Sequence, residues 1–139
     1  MIYDFSSISD IQSKFGQFNK DILNKEQDFV ILVHATWCGH CTRLLPLWKD
    51  CIKKSKLNIV NVESDALNHL KEKNQSHMFT KFLDENVQGY PTLLKVENNK
   101  IVPFEGERDP SSLKKFLTAK KKTAKNDASK ILEKYAQKK

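Results

Sequence analysis

Phe29-Val30-Ile31-Leu32-Val33-His34-Ala35-Thr36-Trp37-Cys38-Gly39-His40-Cys41 is the stretch on which the reading of this chain turns. Its first seven residues are apolar and β-branched with almost no polar alternation. That pattern suits a strand buried on both faces at the centre of a parallel sheet. A helix follows at once: Leu44, Trp48, Cys51 and Ile52 fall at i, i+4, i+7 and i+8 and make one apolar stripe. Pro46 lies inside it, which predicts a kink or a late helix start. A strand ending at Ala35 and a helix beginning near Cys38 put that cysteine among the unpaired N–H groups of the first turn. Hydrogen bonding and the helix dipole then both favour its thiolate. Cys41, one turn deeper on the same face, is within disulfide reach and less accessible. The expectation is that Cys38 attacks and Cys41 resolves, with a protonated His40 stabilising the thiolate further.

Working outward, Ile2–Phe5 reads as a first strand and Ser7–Gln17 as a short helix with Ile8, Ile11, Phe15 and Phe18 inward. Asn19–Lys25 reads as a helical turn. Leu57–Val62 alternates and is the next strand, completing a βαβ unit with a right-handed crossover. Ser64 or Asp65 caps a helix carrying Ala66, Leu67 and Leu70. Residues 73–80 lack periodicity and read as a loop, and Lys81–Val87 as one helical turn. Thr92–Val96 and Ile101–Phe104, joined at Asn98-Asn99, read as an antiparallel hairpin. Asp109-Pro110 starts a last helix with Leu113, Phe116 and Leu117 inward.

With 139 residues, 39% of them hydrophobic and 29% charged, the chain can bury one core. Gly16, Gly39, Gly89 and Gly106 are too scattered for a phosphate-binding loop, which disfavours nucleotide chemistry. The longest apolar run is far too short to span a bilayer. The first residues carry neither a basic n-region nor an apolar h-region, so no secretory leader is expected. The net charge of +7 is uneven: residues 114–139 hold ten lysines against Asp127 and Glu133, leaving the body near neutral. Residues 119–139, beyond a domain of residues 1–118, are expected to form a Lys-rich amphipathic helix with Ala124, Ala128, Ile131, Leu132 and Tyr135 on one side. Such a tail is commonly a solvated face, with contact to nucleic acid or another acidic surface as the alternative.

Three cysteines, two of them four residues apart end to end, do not make a disulfide framework. Zinc would need two more ligands, and His34, His69 and His77 lack the usual spacing. Covalent haem is excluded because Thr42 follows Cys41. No metal and no cofactor beyond a Cys38–Cys41 disulfide is expected. Cys51 is expected to pack as a small apolar residue, a regulatory thiol being the alternative.

Trp37-Cys38-Gly39-His40-Cys41 resembles the active site of the thioredoxin superfamily, its Gly-His centre that of protein disulfide isomerases. Pro46 stands where that family carries a helix-kinking proline, and Gly89-Tyr90-Pro91-Thr92 resembles its cis-proline loop. Glu105-Gly106-Glu107-Arg108 resembles the segment before the last helix of isomerase domains, where the arginine tunes the resolving thiol. The resemblance covers residues 1–118 and implies an α/β thioredoxin fold, a central mixed sheet flanked by helices, with the basic helical extension outside it. It also implies thiol–disulfide exchange with protein thiols and disulfides. Trp37, Gly89, Tyr90 and Pro91 would meet substrate, and a redox partner protein or glutathione would return the pair to its starting state.

Three positions depart from that family pattern. Leu32 stands where a buried carboxylate is usual, Asn61 where isomerases have a lysine, and His34 where an aromatic is usual. Losing acid and base together is coherent, since either charge buried alone is costly. His34, on the same face as Leu32, is either a proton acceptor for Cys41 or a neutral packing residue. The competing reading of the whole chain is a binding or self-association module working through the tail. The missing leader and retrieval tail suggest a cytoplasmic setting. Together with 22 lysines to two arginines and frequent asparagine, they also suit a large DNA virus or its virion.

Overall fold

The computed structural model describes residues 1–73, 77–98 and 100–118. Five strands form one mixed sheet in the order β1-β3-β2-β4-β5: β1 (Ile2–Phe5), β2 (Phe29–His34), β3 (Asn58–Glu63), β4 (Thr92–Glu97) and β5 (Lys100–Pro103). β1 and β2 flank β3 in parallel, while β4 runs antiparallel to β2 and β5 to β4. β2 has neighbours on both sides, and Phe29–Val33 are all fully buried. This is the burial that its unbroken apolar run predicts.

Strand alternation divides the core in two. Tyr3, Phe5, Phe29, Ile31, Val33, Val60 and Val62 pack against α1 (Ile8–Phe18), α3 (Ser64–Lys73) and α4 (His77–Asn86). An aromatic cluster of Phe5, Phe15, Phe18, Phe29, Phe79 and Phe82 fills that side. Val30, Leu32, Ile59 and Leu93 face α2 (Gly39–Ile52) and α5 (Pro110–Phe116) on the other. The α2 stripe of Leu44, Trp48, Cys51 and Ile52 is buried there, and Leu113 and Leu117 close the layer.

Local signals set most boundaries. Ser7 caps α1 by accepting from the Asp10 N–H, and Asp109 caps α5 by accepting from Ser112. A π-helical turn at Asn19–Leu23 continues α1. Three expectations need correcting. His77–Thr80 is not loop but the first turn of α4, and Lys81–Asn86 continues it as a full helix rather than a single turn. Phe79 explains why: it carries the helix into the aromatic cluster, a long-range contact that local periodicity does not contain. Ile8 is half-exposed rather than inward, because α1 seats only Ile11, Phe15 and Phe18 on the sheet. Finally, α2 begins at Gly39 with Pro46 inside it, so the proline does not delay the helix. The expected helix at 119–139 lies outside the described residues, as does Asn99 of the hairpin turn. Asn98 takes the left-handed conformation there, with φ 53°.

Candidate functional site

Parallel β2 ends at the sheet's C-terminal rim, and the chain turns through Ala35–Trp37 directly into α2. Cys38 is the N-cap of that helix, with extended backbone, and its Sγ accepts from the Cys41 N–H at 3.4 Å. The Cys38 N–H bonds back to the Ala35 carbonyl at 3.2 Å, which closes the turn. Both cysteines are thiols; Cys38 is partly exposed and Cys41 fully buried.

Their environments push them apart. The Cys41 thiol and backbone N–H hydrogen-bond to the Cys38 sulfur, and these two contacts lead in lowering its pKa. The His40 backbone N–H and the Arg108 charge add to them. Burial raises Cys41 from 9.0 to about 11, and its hydrogen bond to Cys38 raises it further within that shift. Arg108 and an Ala35 backbone contact oppose the rise. An accessible, stabilised thiolate thus lies above a proton-holding partner, the division of labour that exchange requires.

The loop before β4 faces this pair. The Tyr90–Pro91 peptide is cis, and the Tyr90 carbonyl lies 3.6 Å from the Cys38 Sγ, which donates to it as a thiol. Trp37 is 72% exposed and meets Tyr90 edge-to-face at 5.4 Å. Thr92 Oγ1 donates to the Gly89 carbonyl at 2.6 Å and braces the loop. The structure therefore brings the Gly89-Tyr90-Pro91 loop against Trp37 and Cys38, although some fifty residues separate the two segments.

The ring Nδ1 of His40 lies 3.0 Å from Arg43 Nη2. Guanidinium has only donors, so Nδ1 accepts in this contact. The backbone N–H of His40 also lowers the Cys38 pKa. Arg43, His40 and Arg108 line a cleft of about 540 Å³ beside the cysteines, with Leu44, Leu47 and the turn at Gly106. Gly106 has φ +114°, a conformation that costs a residue with a Cβ far more than glycine.

Leu32 and Asn61 are paired directly across β2 and β3. Leu32 is fully buried, and Asn61 joins two elements: its Oδ1 accepts from Trp48 Nε1 at 2.7 Å, and its Nδ2 donates to Asp4 at 2.7 Å. A neutral amide bridge thus stands in place of an ion pair, consistent with the paired loss of acid and base. His34 lines a separate pocket of about 260 Å³ with Asp4, Ser6, Leu45, Trp48, Lys49 and Asn61. Its Nδ1 is buried without a hydrogen-bond partner. Burial leads in lowering its pKa, against the pull of Glu63 and Asp4 and with Lys49.

Cys51 is buried on α2, its Sγ facing the Pro110 carbonyl at 3.9 Å. Burial pushes its thiol above the ordinary value, as suits a packing residue. Among the described residues no group of three or more His, Cys, Asp or Glu could hold a metal ion, and no helix is long and apolar enough to cross a membrane. Glu63 was not anticipated. Strand alternation puts it on the face of Asn61, opposite His34, but only the folded chain brings it to the Thr36 N–H, 3.2 Å away.

Comparison with known proteins bears on the family and the fold. The Thioredoxin family model matches residues 10–119. The probable protein disulfide-isomerase ER-60 of Schistosoma mansoni is 32% identical over 106 residues, covering 72% of this chain and 20% of its own length. Protein disulfide-isomerase like 2-2 of Arabidopsis thaliana is 28% identical over 110 residues, covering 76% and 22%. The chain thus spans about a fifth of the length of these relatives. In fold it is similar to the J-Trx1 fragment of ERdj5, with TM-score 0.56 at 19% identity over 82% of this chain and 49% of that one. It is also similar to reduced Schistosoma mansoni thioredoxin pre-protein, with TM-score 0.51 at 18% identity over 84% and 94%.

Proposed function

The chain belongs to the thioredoxin family, and from that premise we propose that it is a thiol–disulfide oxidoreductase that exchanges disulfides with protein substrates, as an oxidase or isomerase, through Cys38 and Cys41. The observation that carries this reading is the asymmetry of the pair. One sulfur caps a helix and collects N–H groups; the other is buried and pushed up to about 11.

In the reducing direction the Cys38 thiolate attacks a substrate disulfide sulfur. The substrate S–S bond breaks, one substrate thiolate leaves and takes a proton, and a mixed disulfide forms at Cys38. Cys41 then loses its proton and attacks the Cys38 sulfur. The Cys38–Cys41 bond forms, the second substrate thiolate leaves, and two electrons have passed to the substrate. Oxidation is the same path reversed, and isomerisation stops at the mixed disulfide and returns. The Cys38–Cys41 pair carries the two electrons of each exchange, and a redox partner protein or glutathione would return it to its starting state. Stabilising the Cys38 thiolate favours the dithiol form and so makes the disulfide more oxidising, which supports the oxidase or isomerase direction. Tyr90, beside the cis bond, would present its backbone to an extended substrate segment while Trp37 covers it.

The test is refolding of a reduced, multi-disulfide protein, together with trapping. Cys38→Ser should abolish exchange and keep the fold. Cys41→Ser should accumulate a mixed disulfide at Cys38, visible by mass. Exchange that survives Cys38→Ser would refute the assignment.

A further inference from the structure

Glu63 is a fully enclosed carboxylate, 4% exposed, at the end of β3. Three donors converge on it: Thr36 N–H at 3.2 Å and Ser64 Oγ at 3.0 Å on Oε2, and Asp65 N–H at 2.8 Å on Oε1. Burial pushes its carboxyl up, but the bonds from Asp65, Ser64 and Thr36, with the nearby His34, outweigh this and hold it below its ordinary value. Two of the donors belong to the start of α3. The third, Thr36, belongs to the turn that delivers the attacking cysteine.

The Ala35–Thr36 peptide group links the two. Its N–H end bonds to Glu63, and its C=O end accepts from the Cys38 N–H. A carboxylate on the N–H of an amide polarises the carbonyl at the other end, so the two bonds strengthen each other. The same peptide plane is thereby held at both ends, and Cys38 enters α2 from a fixed position. We infer that Glu63 is a positioning residue for the redox site, anchoring the β2–α2 turn so that Cys38 sits squarely at the helix N-cap. The inference rests on the reading of Cys38 as the attacking thiol.

The sign of the effect separates this role from simple electrostatics. If Glu63 acted on Cys38 through space, deleting its negative charge would lower the Cys38 pKa. If it acts by holding the turn, deletion lets Cys38 drift from its N–H donors, and the pKa rises. The experiment is the pH dependence of Cys38 alkylation by iodoacetamide, with urea unfolding in parallel, in Glu63→Ala, Glu63→Asp and Ser64→Ala. Glu63→Ala should raise the alkylation midpoint by about half a unit, an about threefold smaller thiolate-to-thiol ratio at any given pH. Glu63→Asp keeps the charge but withdraws the carboxylate by one methylene, and should also raise it. This second variant decides the matter if the first fails to fold. Ser64→Ala removes a donor to the same carboxylate without touching the turn, and should lower stability with the midpoint unmoved. A midpoint that stays or falls in the Glu63 variants would overturn the inference and leave Glu63 as a cap for α3 alone. Alkylation needs no disulfide substrate, so this outcome is independent of whether exchange activity is found.

Discussion

Raising the pH of the reduced protein from 9 to 11 should remove about 2 kcal/mol of stability that the oxidised protein keeps. The magnitude comes from Cys41, whose thiol is raised from 9.0 to about 11 mainly by burial, at about 1.4 kcal/mol per unit. Because the folded chain holds this proton more tightly than the unfolded chain, the contribution is complete below pH 9. It disappears as the pH climbs through the folded value. Cys38 works in the opposite sense. Its pKa is lowered, so its contribution is complete above pH 9 and is lost as the pH falls through the folded value. The stability of the dithiol form relative to the disulfide form should therefore peak near pH 9. Urea unfolding of both redox forms at intervals from pH 6 to 11 measures it. Lysines and tyrosines titrate in both forms and largely cancel in the difference, whereas the oxidised chain has no active-site thiol to titrate. A difference that rises steadily through pH 11, or stays flat, would show that Cys41 is not held as a buried thiol.

Two further outcomes follow from the surroundings of the pair. Leu32→Asp should cost about 3–5 kcal/mol, because it puts a carboxylate at a fully buried site paired with the neutral Asn61. Adding Asn61→Lys should recover more than about 1 kcal/mol relative to the sum of the single variants, measured by urea unfolding; strict additivity would show that positions 32 and 61 do not form a charge-pairing site. Arg108 lowers both active-site thiols, so Arg108→Ala should move the Cys38 alkylation midpoint upward. Half-molar salt should move the wild type in the same direction while leaving the variant nearly still, and an unchanged midpoint in the variant would remove Arg108 from the site.

His34 shows what a strand pattern can and cannot say. Period-two alternation correctly puts it on the α2 face with Leu32. What it meets there depends on β1, β3 and the third turn of α2, and these make a pocket with Asp4, Asn61 and Lys49. His40 is the same lesson at shorter range. Its position between the cysteines was evident, but the contact of its ring with Arg43 follows from the rotation of the helix. Phe79 was hidden because four residues of weak periodicity gain their helical state from an aromatic cluster built by α1, β1 and β2.

The buried central strand, the helix that begins on Cys38, the capped entries to α1 and α5 and the order of the elements are all written locally, in hydrophobic period and in capping residues. They follow from interactions within a few residues of each other, and such interactions leave a trace in the sequence. The meeting of Tyr90 with Cys38, the amide bridge from Trp48 through Asn61 to Asp4 and the hold of Glu63 on the Thr36 amide join residues 13 to 57 positions apart. Sheet register and helix packing decide those contacts. Donors and acceptors that meet across strands leave no period along the chain, so the folded protein alone brings them together.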